Sequence, residues 1–404
     1  MHILFVHQNF PAQFGPLAFR LAATPEWSCT FVSQKAEGTV RGVRCLKYHL
    51  TGGATEKSHY CSRTFENAVW HAHAVSEALA KHPDIRPDAI VGHSGFGSTL
   101  FLPELYPGVP VVNLFEYFYR VTGSDLDFRP DFPSRPLDRL RARARNAMIL
   151  LDLDACSLGY CPTDWQRSLF PQEYAGKLRS AFDGVDTTVW KPDPTAPRRV
   201  AGRDLPAGTK LVTYVARGME SMRGFDLFMA AAQKLADRRP DVVFAVVGQD
   251  RVCYGGDDKF TGGKTFKEWV LSRGEYDLSR FLFTGLIPEA ELAKLFAVTD
   301  LHVYMTVPFV LSWSLFNALA CGATVLASDT APVRELVTHG VTGLLTPFFD
   351  TDALAAAADR VLDDPLAYRH LGEAGRELVR TRYALDVCLP RFVQLLEEAR
   401  DSGR

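Results

Sequence analysis

The sequence predicts an α/β protein built from two Rossmann-like halves. Three observations carry this. Short apolar runs recur along the chain with amphipathic helical stretches between them. Leu301 to Asp329 (LHVYMTVPFVLSWSLFNALACGATVLASD) reads as strand, loop, helix and strand, with no charge before Asp329. A polar, proline-rich stretch separates two such series, as a linker does.

The bulk numbers narrow the class. A chain of 404 residues is long enough for two domains. Hydrophobic residues at 47% and charged residues at 23% suit a soluble globular enzyme. A net charge of −2 gives no global attraction to nucleic acid or to an anionic membrane. Met1 to Val6 reads as a strand rather than a secretory leader. None of the eight cysteines forms a CxxC pair, so neither a zinc site nor a thioredoxin-type motif is indicated. Reduced thiols in a cytoplasmic protein are the expectation.

In order, His2 to His7 is a buried strand. Phe14 to Ala23 is a helix, with Leu17, Ala18, Leu21 and Ala22 on one face. Ser28 to Val32 is the next strand. No GxGxxG follows the first strand, so the dinucleotide fingerprint is missing. Gln13 and Gly15 belong to the first strand-end loop. Gly15 is either a helix-start glycine or a point where substrate approaches the backbone. Arg63 to His82 is an amphipathic helix whose His71 and His73 read as polar-face residues. Ala89 to Gly92 is a strand ending in GHSGFGS, which places His93 and Ser94 at its carboxyl end. Val109 to Leu114 is another strand, followed by Glu116 among four aromatic residues. A desolvated carboxylate there acts as an acid or a base; the alternative is one satisfied by backbone N–H groups.

Asp125 to Pro136 reads as a loop. The following helix carries Arg139/Arg143 and Arg141/Arg145 in two rows, either a solvated face or a contact for anionic lipid at a membrane surface or for a phosphorylated acceptor. Asp152 and Asp154 read as structural. Tyr174 to Gly208, containing Lys191-Pro-Asp-Pro-Thr-Ala-Pro, reads as the hinge region. Beyond it come a strand at Leu211 to Ala216, a loop with Arg217, Gly218 and Arg223, and a helix at Phe225 to Arg238. Then follow a strand at Val242 to Val247, a glycine-bearing loop to Gly263, a strand at Phe281 to Thr284 and a helix at Glu289 to Val298. In the Leu301 to Asp329 run, Pro308 ends the first strand, Ser312 to Leu319 is helical and Thr324 to Ala327 resumes a strand. Pro308, Ser312, Ser314, Asn317 and Gly322 argue against a membrane span, which needs about 20 mainly apolar residues in one helix. Ligands of βαβ units sit beyond the carboxyl ends of the strands, so Thr306 to Ser314 is the place to expect an anion or a nucleotide. Tyr383 to Arg400 is a closing amphipathic helix.

Several segments carry a resemblance. FDGVDTTVWKP at Phe182 to Pro192, VARGMESMRGF at Val215 to Phe225, FTGLIPEAELAKLFAVTDLHV and ALACGATVLASDTAPVRELVTHGVTGLL resemble the retaining glycosyltransferases of family 4. The resemblance implies the GT-B architecture: two Rossmann-like domains facing across a cleft, with a C-terminal helix crossing back to the N-terminal domain. Residues 1–180, with the helix at about 383–404, are then the acceptor domain. Residues 181–382 are the nucleotide-sugar donor domain. The implied reaction moves a sugar from a nucleotide diphosphate donor, of UDP or GDP type, to an acceptor with retention at the anomeric carbon. No metal or other cofactor is expected.

Arg217 and Arg223 are the candidates for the diphosphate. Two phosphate charges call for fixed cations, and arginine adds a bidentate fork. Gly218, Ser312, Ser314, Thr330 and Glu335 complete the expected donor site, with backbone N–H groups from the helix at Ser314 and the Thr330-Ala331 turn. The family's paired glutamates fall on Phe309 and Asn317. The family has a branch reading PFVLSWSL here. Asn317 still bonds a ribose, at a loss of ~1–2 kcal/mol relative to a charged partner. Glu116, where the family often has histidine, and His93 are the catalytic candidates, with Gln13, Gly15 and Ser94 on the acceptor side. Two alternatives remain at this point: a weakened or non-catalytic nucleotide-sugar-binding relative, and a sugar-nucleotide epimerase of the same architecture.

Overall fold

The computed structural model describes residues 1–402. The chain divides into two compact units. The first comprises Met1–Leu126, Ser134–Gly184 and the segment from Leu385; the second comprises Asp127–Pro133 and Val185–Ala384.

In the first unit the strands are β1 (His2–Val6), β2 (Ser28–Ser33), β3 (Gly38–Val40), β4 (Val43–Lys47), β5 (Ala89–His93), β6 (Val111–Leu114), β7 (Leu158–Cys161) and β8 (Leu178–Ser180). They form one sheet in the order β3-β4-β2-β1-β5-β6-β7-β8, parallel except where β3 meets β4. Its helices are α1 (Gly15–Ala22), α2 (Arg63–Ala80), the short α3 (Leu102–Leu105), the first half of the short α4 (Asp125–Phe128), whose second half belongs to the other unit, α5 (Pro136–Ala155) and α6 (Asp164–Ser168). Alternate residues of a strand face opposite sides of a sheet, and β1 shows it. Ile3 and Phe5 join one core with Leu17, Phe392 and Leu396, while Leu4 and Val6 join another with Val75, Leu79 and Leu153. Burial on both faces explains why these strands read as unbroken apolar runs.

A small ribbon, β9 (Arg199–Val200) with β10 (Arg203–Asp204), precedes the second sheet. That sheet holds β11 (Lys210–Gly218), β12 (Val242–Gln249), β13 (Phe281–Gly285), β14 (Leu301–Tyr304), β15 (Val325–Ser328) and β16 (Leu344–Thr346). Its order is β13-β12-β11-β14-β15-β16, and every pair is parallel. The helices are α7 (Phe225–Arg238), α8 (Phe266–Leu271), α9 (Glu289–Val298), α10 (Trp313–Ala320), α11 (Ala331–Arg334), α12 (Thr351–Asp363) and α13 (Pro365–Leu378). The carboxylates of Asp350 and Asp364 cap α12 and α13 by accepting from Ala353 N and Ala367 N. The last helix, α14 (Leu385–Ser402), returns to the first unit and inserts Phe392 and Leu396 under β1. The end of the expected helix, at 404, lies outside the described residues.

Three expectations are corrected. Asp125 to Pro136 is not simply a loop: α4 opens it, and Asp127–Pro133 is packed into the second unit. The proposed hinge region begins too early, because β8 lies inside it and the change of unit falls between Gly184 and Val185. The two arginine rows of α5 differ in kind. Arg139 and Arg143 are exposed. Arg141 donates to Tyr60 Oη and Thr64 Oγ1, and Arg145 lies 3.7 Å from the Tyr119 ring centroid. No described helix is long and apolar enough to cross a membrane.

Candidate active site

In the second unit the site grows from the carboxyl end of β11. Gly218 is required there by close approach: a Cβ would meet Arg251 O at 2.3 Å and Cys253 Sγ at 2.7 Å. The next residues form a tight turn, Ser221–Arg223, which Gly224 closes at φ +60 before α7 starts. Two buried carboxylates tie this turn to the loop after β12. Glu220 Oε2 accepts from the backbone N–H groups of Cys253, Tyr254 and Gly255 at 2.9, 2.8 and 3.2 Å. Asp257 accepts from Ser221 N at 2.7 Å and Ser221 Oγ at 2.6 Å. Burial raises the Asp257 carboxyl to about 6.

Arg223 is held at the centre of this frame and is 4% exposed. Its Nη1 donates to Thr306 Oγ1 at 2.8 Å and to Tyr304 Oη at 3.4 Å. Its Cζ stands 5.3 Å from the Tyr254 ring centroid and 5.7 Å from that of Phe309. Thr306 is itself fixed, because its N–H donates to Ser328 Oγ, which donates back to Thr306 O. Among the described residues no carboxylate forms an ion pair with Arg223, whereas the equally buried Arg129 has two. An unpaired buried charge is costly, and an anion relieves it. Arg217 differs: it is exposed, so the two arginines are not an equivalent pair around the loop.

The remaining donor-side candidates divide. Phe309 is buried against Tyr254. Ser312 and Ser314 bond each other at 2.6 Å, and Ser314 Oγ donates to Val215 O. The Ser312 N–H donates to Tyr304 Oη. Asn317 Oδ1 and Thr330 Oγ1 are buried with no hydrogen-bond partner. The Thr330 N–H, expected as a free donor, is spent on Ser328 O. Glu335 is half-buried just past α11. Sequence reasoning missed a cavity of about 430 Å³ at the ends of β12 and β13, lined by Met219, Asp250, Arg251, Lys267, Phe283 and Leu286. Lys267 Nζ lies 4.3 Å from the Phe283 ring centroid. The signal was available, since Asp250 and Arg251 directly follow a strand.

In the first unit the strand ends bring His93 and Glu116 together. His93 Nε2 lies 3.2 Å from Glu116 Oε2, and Gln13 Nε2 donates to Glu116 Oε1 at 3.3 Å. The His93 side chain is 4% exposed and that of Glu116 is 33% exposed, so the carboxylate is reachable and its partner is not. Gln166 Nε2 holds the Glu116 carbonyl at 2.7 Å. His7 stacks on His93 with centroids 5.3 Å apart, a residue that sequence reasoning left within a strand. His93 Nδ1 is buried without a partner. Nearby, Tyr160 Oη donates to Asp183 Oδ1 at 2.8 Å, and burial pushes the Asp183 carboxyl up to about 7.

Other candidates have local explanations. Ser94 Oγ donates to Asp152 Oδ2 at 2.9 Å, as does Gly95 N at 2.8 Å, so Ser94 pins the turn after β5. A Cβ on Gly15 would meet Pro11 Cβ at 2.4 Å, so packing alone accounts for that glycine. His71 is not a polar-face residue; it is half-buried, with Nδ1 2.8 Å from Tyr48 Oη. Among the described residues no cluster of three His, Cys, Asp or Glu is arranged to hold a metal ion.

Residues 25–190 match the Glycosyl transferase family 4 group, and residues 200–378 match Glycosyl transferases group 1. A sucrose-phosphate synthase from Thermosynechococcus elongatus superposes with a TM-score of 0.73 at 20% identity, covering 98% of each chain. Anabaena Alr3699/HepE in complex with UDP and glucose superposes with a TM-score of 0.69 at 16% identity, covering 98% of this chain and 99% of that one. The fold is GT-B, and each half of the chain matches a glycosyltransferase family model. More particularly, its first half carries the family 4 group domain and its second half the group 1 domain.

Among curated relatives, alpha-maltose-1-phosphate synthase of Mycolicibacterium smegmatis is 28% identical over 52% of this chain and 53% of its own length. A GDP-mannose-dependent alpha-(1-6)-phosphatidylinositol monomannoside mannosyltransferase of the same organism is 28% identical over 64% of this chain and 66% of its own. The chain thus spans between about half and two thirds of these relatives' lengths.

Proposed function

We propose that the protein transfers a sugar from a nucleotide diphosphate sugar to an acceptor, with retention at the anomeric carbon. The observation that carries this reading is Arg223, a buried guanidinium at a strand end with hydroxyl partners and, among the described residues, no carboxylate in ion-pair contact. A diphosphate is the anion such a site takes, since it offers charge and acceptor oxygens together. The cavity beside Asp250, Arg251 and Lys267 has the size, a mainly apolar wall and a few charged groups at its edge, as a nucleoside site needs. Asn317 Oδ1, a buried acceptor without a donor, suits a ribose hydroxyl. UDP and GDP types both stay in the proposal, because one relative is named for GDP-mannose and one structural neighbour was solved with UDP and glucose.

In the proposed step the bond from the anomeric carbon to the departing phosphate oxygen breaks. The acceptor oxygen bonds to that carbon from the same face, and its proton passes to the departing phosphate. Arg223 stabilises the charge that develops on the diphosphate. Glu116, held by His93 and Gln13, orients the acceptor hydroxyl as a hydrogen-bond acceptor. No step needs a metal ion.

The test is thermal shift with UDP, GDP and their sugars at millimolar concentration, followed by transfer assays and NMR of the product's anomeric proton. Binding to the folded state alone raises Tm. Replacing Arg223 by Met removes a charge-assisted contact of about 1.5–3 kcal/mol, roughly ten- to a hundred-fold in Kd. A chain whose melting none of these ligands moves does not have this function. Binding without transfer to any acceptor favours a non-catalytic relative, and an inverted product refutes retention.

A further inference from the structure

Arg129 sits in the first half of the sequence, yet its segment, Asp127–Pro133, is part of the second unit. The side chain is 4% exposed and all five of its N–H groups have acceptors. Nη1 and Nη2 grip Asp226 Oδ1 and Oδ2 at 2.9 and 2.7 Å, in a bidentate pair at the first turn of α7. Nε and Nη2 bond Asp131. The remaining Nη1 donor goes to the backbone carbonyl of Ser221 at 2.9 Å. The Phe132 ring stacks on the guanidinium, 4.7 Å from Cζ, and packs in turn against Phe260, Phe266 and Trp269. Phe128 packs against Phe348 and Phe349.

Ser221 begins the turn that presents Arg223. Asp257 grips it by the N–H and the hydroxyl, and Arg129 grips it by the carbonyl. That carbonyl also accepts from Gly224 N, the bond that closes the turn. A guanidinium saturated by two carboxylates has no capacity left for a phosphate, so Arg129 is not a donor ligand. What it does is lock the Ser221 peptide to the start of α7. We propose that Arg129 is a positioning residue for the nucleotide-diphosphate site: a strap lent by the N-terminal half of the sequence that fixes the Ser221–Gly224 turn and so aims Arg223. This rests on the reading of Arg223 given above.

The experiment titrates UDP and GDP, by calorimetry, into the unaltered protein, Arg129→Lys, Arg129→Met and Arg223→Met. Hydrogen exchange of the Arg223 and Gly224 amides and the donor KM and kcat are measured alongside. Lysine keeps the charge and suits one carboxylate, but it cannot fork Asp226 and still reach the Ser221 carbonyl. The expected result is a rise of ten-fold or more in Kd and donor KM for both Arg129 variants. kcat should fall as well, because a misaimed Arg223 stabilises the departing diphosphate less, and Gly224 should exchange faster. A purely structural role lowers Tm and the active fraction but leaves KM unchanged, and that result overturns the proposal. Should Arg129→Met not fold, Arg129→Lys decides on the same criteria. If Arg223→Met abolishes binding while both Arg129 variants bind within two-fold of the unaltered protein, only the strap falls. If Arg223→Met binds normally, or neither nucleotide binds the unaltered protein, the reading of Arg223 falls first and the strap with it.

Discussion

Asp183 shows what burial does to one residue. Desolvation is the main cause of its rise from an ordinary 3.8 to about 7, and the Glu116 charge pushes the same way. Between about pH 4 and 7 the unfolded chain gives up a proton that the folded chain keeps, so stability falls as pH rises through that window. Below the window both states are protonated and the term vanishes. Asp183→Asn keeps an oxygen acceptor for Tyr160 Oη and removes the ionisation. Its Tm gain is therefore expected above pH 7 and not near pH 4. Scanning fluorimetry from pH 4 to 8 checks this, and a gain equal at every pH contradicts it. Glu116 poses a different question at the same scale. Glu116→Gln keeps one acceptor oxygen but loses the charge facing His93. Acceptor KM should rise about ten-fold, the worth of one charge-assisted bond, with donor KM unchanged. A donor KM that rises equally places Glu116 elsewhere in the reaction.

At the scale of elements, function sits where strands of parallel sheets end, because the loops that follow are free of ladder constraints and can be pinned one by one. The loops after β11 and β12 are pinned to each other by Gly218, Glu220 and Asp257. Gly218→Ala drives a methyl into the Arg251 carbonyl, which is backbone and gives way only by moving the cavity wall. The expected cost is about 1–3 kcal/mol in urea denaturation, together with weaker nucleotide binding. A change under about 0.5 kcal/mol would mean that the 251–253 segment adapts freely. Long elements were the legible ones. Phe225–Arg238 and Glu289–Val298 end where their residue patterns end. The strands β3, β7 and β8, three or four residues each, are too short for any period to show. The helices α12 and α13 are signalled in the sequence by Asp350 and Asp364, each a cap ahead of an apolar stripe.

At the scale of the molecule, what the sequence conceals is contact between distant residues. Arg223 is legible because its loop resembles a known one. Arg129 is not, since its partners Ser221 and Asp226 stand 92 and 97 positions away and nothing local marks the pairing. The pairing of His93 with Glu116 across 23 positions was half-visible, as two residues each ending a strand. The return of α14 to the first unit belongs to the same scale. Phe392 is 2% exposed, stacks on Phe5 at 6.5 Å and meets the Tyr160 ring edge-on at 5.8 Å, so the last helix completes the core beneath the first strand. Phe392→Ala should destabilise that core by about 3–5 kcal/mol, through lost burial and the cavity left behind. The donor residues belong to the other unit, so nucleotide Kd measured on the folded variant should stay within about three-fold. Calorimetry gives both quantities on one sample. A large loss of nucleotide affinity without a matching loss of stability would show that α14 acts on the donor site rather than on the core it fills.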